Sequence, residues 1–209
     1  MMIELQPTVF VVDDDASMRR ALSYLLGSAG YRVETYSSAE NFLTREHYDG
    51  VGCIILDVRM PGLSGMELQE KLIRSAYSMP IIFLTGHGEI TMGVEAMKKG
   101  AIDFLTKPCD DEQLLGAVHS ALEKARQARA HFEEAQEIRG RIERLTPREN
   151  EILRYVITGM LNKQIAAKLG IAEATVKIHR GRIMEKLCAE SVADLVRLAG
   201  KADINPAKE

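Results

Sequence analysis

The sequence predicts an α/β protein: a doubly wound, five-stranded parallel sheet joined to a smaller all-α domain. Three features carry that reading. Over roughly the first 120 residues, short apolar runs alternate with helical patterns, as in a parallel sheet threaded by crossover helices. Three of the runs are almost wholly apolar, which strands covered on both faces require. From residue 145 onward the pattern is helical, with caps of its own.

The elements follow in order. TVFVV (8–12) is the first strand. MRRALSYLLGSAG then places Met18, Leu22, Leu25 and Leu26 on one helical stripe and stops at Gly30. RVETY (32–36) is the second strand, and GCIIL (52–56) the third, running into Asp57 and a Pro61-Gly62 turn. SGMELQEKLIRS (64–75) and ITMGVEAMKKG (90–100) are helices flanking the fourth strand, PIIFL (80–84), and AIDFL (101–105) is the fifth. In such sheets ligands sit beyond the carboxyl ends of the strands, which is where Asp57 falls. A helix-compatible pattern runs from about Asp110 to Arg144, with residues 123–144 rich in Ala, Glu, Gln and Arg. This is a last helix continuing into a helical linker, or, given Gly140 and the sparse apolar content, a flexible charged one. Thr146 with Glu149 forms a capping box with Pro147 at the first helical position. Asn162 is the expected cap of a short helix to Leu169, Gly170 turns, and a second helix starts near Glu173. The expected divisions are 1–122, a linker over 123–144, and 145–209. No internal repeat or low-complexity tract is visible.

Composition is that of a soluble globular chain, 46% hydrophobic and 27% charged. No apolar run approaches the ~18 residues that span a bilayer, and MMIELQPTVF is not a signal peptide; a membrane role is not expected. Three cysteines (Cys53, Cys109, Cys188) without metal-type spacing read as reduced thiols of a cytoplasmic protein. The net charge of −3 divides unevenly: residues 145–209 hold 11 Lys/Arg against 8 Asp/Glu, and the preceding 144 residues hold 16 against 22. An acidic front and a mildly basic back imply two domains with different partners.

Four strand ends offer polar groups: Asp13, Asp14 and Asp15 after the first, Asp57 after the third, Thr85 after the fourth, and Lys107, before Pro108, after the fifth. Taken singly, each is commonly a cap or loop residue. Brought together by adjacent strands, carboxylates that repel one another stay ionised only around a cation, and hard oxygen ligands suit Mg²⁺. With Lys107 as a further positive charge and Thr85 as a hydroxyl donor, the set fits phosphoryl transfer onto a carboxylate. Asp57, in the centre, is the nucleophile.

VVDDD (11–15), LDVRMPGLSG (56–65), FLTGHG (83–88) and AIDFLTKP (101–108) resemble the receiver domains of two-component response regulators, which share a flavodoxin-like sheet. The resemblance covers about the first 125 residues. It implies that Asp13 and Asp14 bind the metal with Asp57 and the main-chain carbonyl of Arg59, that Asp57 is the phospho-acceptor, Thr85 the switch hydroxyl, Phe104 the switch aromatic and Lys107 the phosphate partner. The donor would be a sensor histidine kinase. Phosphorylation adds charge and acceptor oxygens, so Thr85 would be drawn inward and Phe104 would fill the vacated space, changing the face around 90–105. Gly86, Gly88 and Gly93 would leave that region soft enough to move. Arg59 and His87, two residues beyond Asp57 and Thr85, would flank the entrance and tune water access. Cys109 follows Lys-Pro where receivers commonly carry an aromatic.

In the tail, charge is biased along the second helix: Lys177, Arg180, Arg182 and Lys186 face only Glu173 and Glu185 over residues 173–187. Val176, Ile183 and Leu187 share one stripe, with Lys177, Ile178, Gly181 and Arg182 on or beside the opposite one. Lysine reaches guanine acceptors, an apolar tip meets the thymine methyl, and arginines hold phosphates. LTPRENEIL (145–153), NKQIAAKLGI (162–171) and ATVKIHRGRIMEKL (174–187) resemble the LuxR-type DNA-binding domain of FixJ/NarL-like regulators. The resemblance makes 173–187 the recognition helix and a last helix, about 191–200, the pairing segment, with Val192, Leu195, Val196 and Leu198 as its apolar contacts. The implied whole is a phosphorylation-switched transcription regulator, a homodimer when phosphorylated, with DNA and RNA polymerase as partners. Two other functions compete. An aspartyl-phosphate hydrolase would want a second acid two residues past the nucleophile, where Arg59 stands, so only slow self-phosphorylation and self-dephosphorylation are expected. Flavin binding on the same scaffold is opposed by Asp13–Asp15, which would repel a flavin phosphate.

Overall fold

Five short runs, three of them fully buried and almost wholly apolar, build one parallel sheet. They are β1 (Thr8–Val12), β2 (Arg32–Tyr36), β3 (Gly52–Leu56), β4 (Ile81–Thr85) and β5 (Asp103–Thr106), in the order β2-β1-β3-β4-β5. The computed structural model describes residues 6–46, 48–74, 79–86 and 90–207. Around the sheet lie α1 (Ala16–Ser28), α2 (Ala39–Leu43), α3 (Gly65–Ile73), α4 (Ile90–Lys98) and the start of α5 (Asp111–Ile142). Strand residues alternate between two cores. Val9, Val11, Ile55, Ile82 and Leu84 meet Leu22 and Leu26 of α1 and Leu114, Val118 and Leu122 of α5. Phe10, Val12, Ile54, Leu56, Ile81 and Phe83 meet Phe42 of α2, Leu68 of α3 and Ala96 of α4. Successive strand side chains point to opposite faces, and both faces are covered; hence the nearly continuous apolar strands. Truncating a fully buried member such as Ile54 to alanine costs about 2–5 kcal/mol.

Three boundaries differ from the sequence reading. Helix α2 has no counterpart there: five residues are too few to show a helical period, and only Ser38, which accepts from Asn41 N–H at 3.1 Å, marks it. Strand β4 starts and ends one residue later than expected. Strand β5 starts at Asp103, because Ala101 belongs to the turn that closes α4, donating to Ala96 O at 3.1 Å past Gly100 at φ +90°.

The chain divides into two units, Met1–Arg129 and Ala130–Glu209. The second contains the end of α5, α6 (Pro147–Val156), α7 (Asn162–Leu169), α8 (Glu173–Leu187) and α9 (Val192–Lys201), with no strand among the described residues. Its core joins Ile152, Leu153, Ile165, Val176, Ile183, Leu187 and Leu195 with Ile138 and Ile142, two residues of the stretch expected as linker. Lys201 Nζ meets both oxygens of Glu134 at 2.5 Å, and Arg139 meets Asp203 at 2.7 Å. The capping box of Thr146 and Glu149 is formed, with Pro147 in the first turn. For α7 the expected cap is displaced: Asn162 is its first helical residue and Leu161, which has no side-chain acceptor, holds the cap position. The α7–α8 turn passes through Gly170 at φ +63°. Cys53 is fully buried, and burial pushes its thiol up to about 12; Cys109 is half-buried, and Cys188 is exposed in a left-handed conformation at φ 54°. No helix among the described residues is long and apolar enough to cross a membrane.

Candidate functional site

The strand order sets β1 between β2 and β3, with Val12 opposite Leu56. The residues that follow them, Asp13 and Asp57, therefore emerge side by side; Asp57 N–H donates to Val12 O at 2.9 Å. Beyond β4 and β5, Lys107 N–H donates to Thr85 O at 2.8 Å, and the Lys107–Pro108 peptide bond that follows is cis. One ligand oxygen from each of Asp13, Asp14 and Asp57 falls within 4.8 Å of the others. Lys107 Nζ lies 2.6 Å from Asp13 Oδ2 and 3.5 Å from Asp57 Oδ2. Asp13 and Asp57 are 2% and 8% exposed, and Asp14 is exposed. Thr85, at the end of β4, is 1% exposed, and the Phe104 ring is partly buried 6.0 Å from that of Phe83.

Negative charge dominates the electrostatics of the site. Burial raises the Asp57 carboxyl above its ordinary range; Lys107 opposes the rise, Asp13 adds to it, and the N–H groups of Val58 and Arg59 favour the charged form. Asp57 Oδ1 is buried and makes no hydrogen bond among the described residues. Three carboxylates against one ammonium leave room for a cation, and all-oxygen donors fit a hard divalent ion.

Several supporting residues escaped the sequence reading. Asp15 belongs to the acidic run, yet it caps α1, accepting from Ser17 N–H at 2.7 Å, and that bond holds its carboxyl below the usual range. Glu40, on the unforeseen α2, accepts from Leu63 N–H at 2.7 Å and ties down the loop after Asp57. A Cβ on Gly65 would lie 2.1 Å from Asp57 O, so only glycine lets α3 begin so close to the site. The one signal for that helix start was Ser64 with Glu67, whose capping box is formed. Gly93 is part of α4, not of a soft loop, and His87 and Gly88 lie outside the described residues.

In the second unit, α8 buries Val176, Ile183 and Leu187 and exposes Lys177, Ile178, Gly181 and Arg182; Ile178 is 57% exposed. Arg180 and Lys186, grouped with that face by sequence, are engaged within the unit. Arg180 Nη1 donates to Asn162 Oδ1 at 2.6 Å, joining α8 to α7. Lys186 Nζ donates to Glu149 Oε2 at 2.6 Å and to Arg144 O at 3.1 Å, joining α8 to the start of α6. Glu149 is 1% exposed, and the Lys186 bond, aided by Thr146, holds its carboxyl down to about 2.

Residues 9–119 match the model of the response regulator receiver domain, and residues 143–199 that of bacterial regulatory proteins of the luxR family. Nodulation protein W of Bradyrhizobium diazoefficiens is 49% identical, over 91% of this chain and 84% of its own. Transcriptional regulatory protein FixJ of the same organism is 41% identical, over 93% and 95%. The solved structure of the response regulator StyR is 48% identical with a TM-score of 0.79, covering 94% of this chain and 99% of that one.

Proposed function

This chain belongs to the two-component response regulators that join a receiver domain to a LuxR-type DNA-binding domain, and on that premise we propose that Asp57 accepts a phosphoryl group from a sensor histidine kinase with Mg²⁺ beside it. The observation that carries the proposal is Asp57 Oδ1, a buried acceptor without a hydrogen bond among the described residues, next to two further carboxylates and an ammonium. Asp13, Asp14, Asp57 and the main-chain carbonyl of Arg59 would hold the ion. Bound there, Mg²⁺ supplies positive charge to the phosphoryl oxygens. An Asp57 carboxylate oxygen forms the bond to phosphorus as the bond to the donor imidazole nitrogen breaks, the electron pair leaving with nitrogen. Lys107, already within 3.5 Å of Asp57, follows the new charge, and the Thr85 hydroxyl donates to a phosphoryl oxygen, drawing the end of β4 inward and freeing space for Phe104. Without a second acid at Arg59, self-phosphorylation and hydrolysis remain slow.

The output is DNA binding by α8. Lys177 and Ile178 face bases, Arg182 faces phosphate, and Gly181 brings the helix close without adding a contact. Arg180 retains N–H donors for phosphate beyond its bond to Asn162, whereas Lys186 serves to seat α8 on α6. Exposed Val192 and Val196 of α9 offer the apolar contact for a homodimer on paired half-sites, whereas Leu195 and Leu198, expected in the same contact, are buried in the core of their own unit; RNA polymerase would be a further partner in the cytoplasm. Residues 123–144 lead from the receiver, 1–122, to the DNA-binding part, 145–209, and their later portion belongs to that part's core through Ile138 and Ile142. The test uses the full chain with radiolabelled acetyl phosphate and Mg²⁺: wild type incorporates label and binds selected DNA fragments more tightly, and Asp57→Ala does neither. Label persisting in Asp57→Ala overturns the assignment.

A further inference from the structure

Helix α4 is held by different forces at its two ends. At the C-terminal end, Ala101 N–H donates to Ala96 O at 3.1 Å and Gly100 N–H to Met97 O at 3.0 Å, a Schellman turn around Gly100 at φ +90°. The same Ala96 carbonyl accepts a second bond, at 3.2 Å, from Nε2 of Gln69, an α3 side chain 1% exposed. Oε1 of Gln69 is buried with no hydrogen bond among the described residues. Leucine would fill that space without an unmet acceptor, so what the amide adds is the bond to Ala96. Lys99 Nζ strengthens the same end, meeting Glu70 of α3 and Glu95 of α4 at 2.7 Å each.

Near the N-terminal end the contact is of another kind. Gly93 packs against the ring of Phe104 so closely that a Cβ would lie 3.2 Å from Cδ1. Glycine inside a helix is less stable there than alanine, and Gly93 has no positive φ to require it. The ring accounts for the missing side chain.

We propose that Gln69 and Gly93 are positioning residues of the switch. Gln69 pins the C-terminal end of α4 to α3, and Gly93 rests its first turn on Phe104, so a displaced Phe104 swings α4 about Ala96. The inference rests on Asp57 as acceptor and Phe104 as switch aromatic. A hydrogen bond is directional and holds a point, whereas a glycine-on-ring contact is free to slide. At about 1.5 Å per residue the start of α4 lies about 9 Å from the pin, so a tilt of about 10° moves it about 1.6 Å.

Amide hydrogen exchange of the full chain, with and without Mg²⁺ and beryllofluoride as a phosphoryl mimic, tests the pivot. On adding the mimic, a peptide covering 90–95 changes its exchange rate at least tenfold while 96–101 changes less than twofold. Without the mimic, Gln69→Leu speeds 96–101 at least fivefold, and Gly93→Ala moves 90–95 toward its mimic-bound rate with 96–101 unchanged. Equal responses at both ends, or a Gln69→Leu protein that exchanges like wild type, overturn the pivot. If 57–66 responds to the mimic and α4 does not, the pivot alone fails. If no peptide responds, the acceptor assignment fails with it.

Discussion

A methyl group on Gly65 would come within 2.1 Å of the Asp57 carbonyl oxygen, and backbone cannot yield as a flexible side chain does. Gly65→Ala is therefore expected to destabilise the sheet unit by about 1–3 kcal/mol, as overpacking does, and to reduce phosphoryl labelling by moving Asp57. Urea unfolding and label incorporation, measured on the same preparation, check both effects. Residues of this sort mark the limit of what was legible at the site. Asp13, Asp57, Thr85 and Lys107 could be found because each follows an apolar run, and the sheet order carries strand ends to a common place. Gly65 and Glu40 could not, because their roles depend on distances across the fold. Nor did spacing reveal that Lys107 sits nearer Asp13 than Asp57, a choice made among three neighbouring acids by burial and reach.

At the scale of elements, caps explain both what sequence showed and what it hid. Thr146 and Glu149 stood out because a capping box has a fixed spacing. Asn162 misled because its type suits a cap, yet the helix begins one residue earlier and leaves Leu161 there, 68% exposed. Gln164 Oε1 does accept from Leu161 N–H at 2.8 Å, so half of a capping box exists and only the cap side chain is missing. Leu161→Ser completes it and should stabilise the helical unit by about 1 kcal/mol, read as a higher melting temperature. Glu149 is expected to contribute to acid tolerance. Its carboxyl, held down to about 2 from an ordinary 4.5, contributes stability in full above pH 4.5 and loses it as pH falls toward 2, where the unfolded chain binds the proton more readily. The melting temperature of the helical unit should fall over that window in wild type, and Glu149→Gln should flatten the fall while costing about 1.5–3 kcal/mol at neutral pH.

For the molecule as a whole, the uneven charge observed in sequence divides between a front that buries Asp13 and Asp57 beside Lys107 and a back whose exposed helix face carries Lys177 and Arg182. Lys177→Ala should leave phosphoryl labelling intact and relax discrimination at one base pair by about 1–3 kcal/mol. Filter binding to variant operators measures it. Two-part organisation was legible because the hydrophobic period changes where strands give way to helices. The burial of Ile138 and Ile142 in the helical core was not, since a charged helix with few apolar residues reads alike whether it packs or not. The three thiols have a practical corollary. Cys53 is sealed in the sheet with its proton held tightly, while Cys188 stands open on the helical unit. A maleimide dye added to native protein should accordingly reach Cys188 first and half-buried Cys109 more slowly, and the late arrival of a further dye at Cys53 would count each time the sheet comes apart.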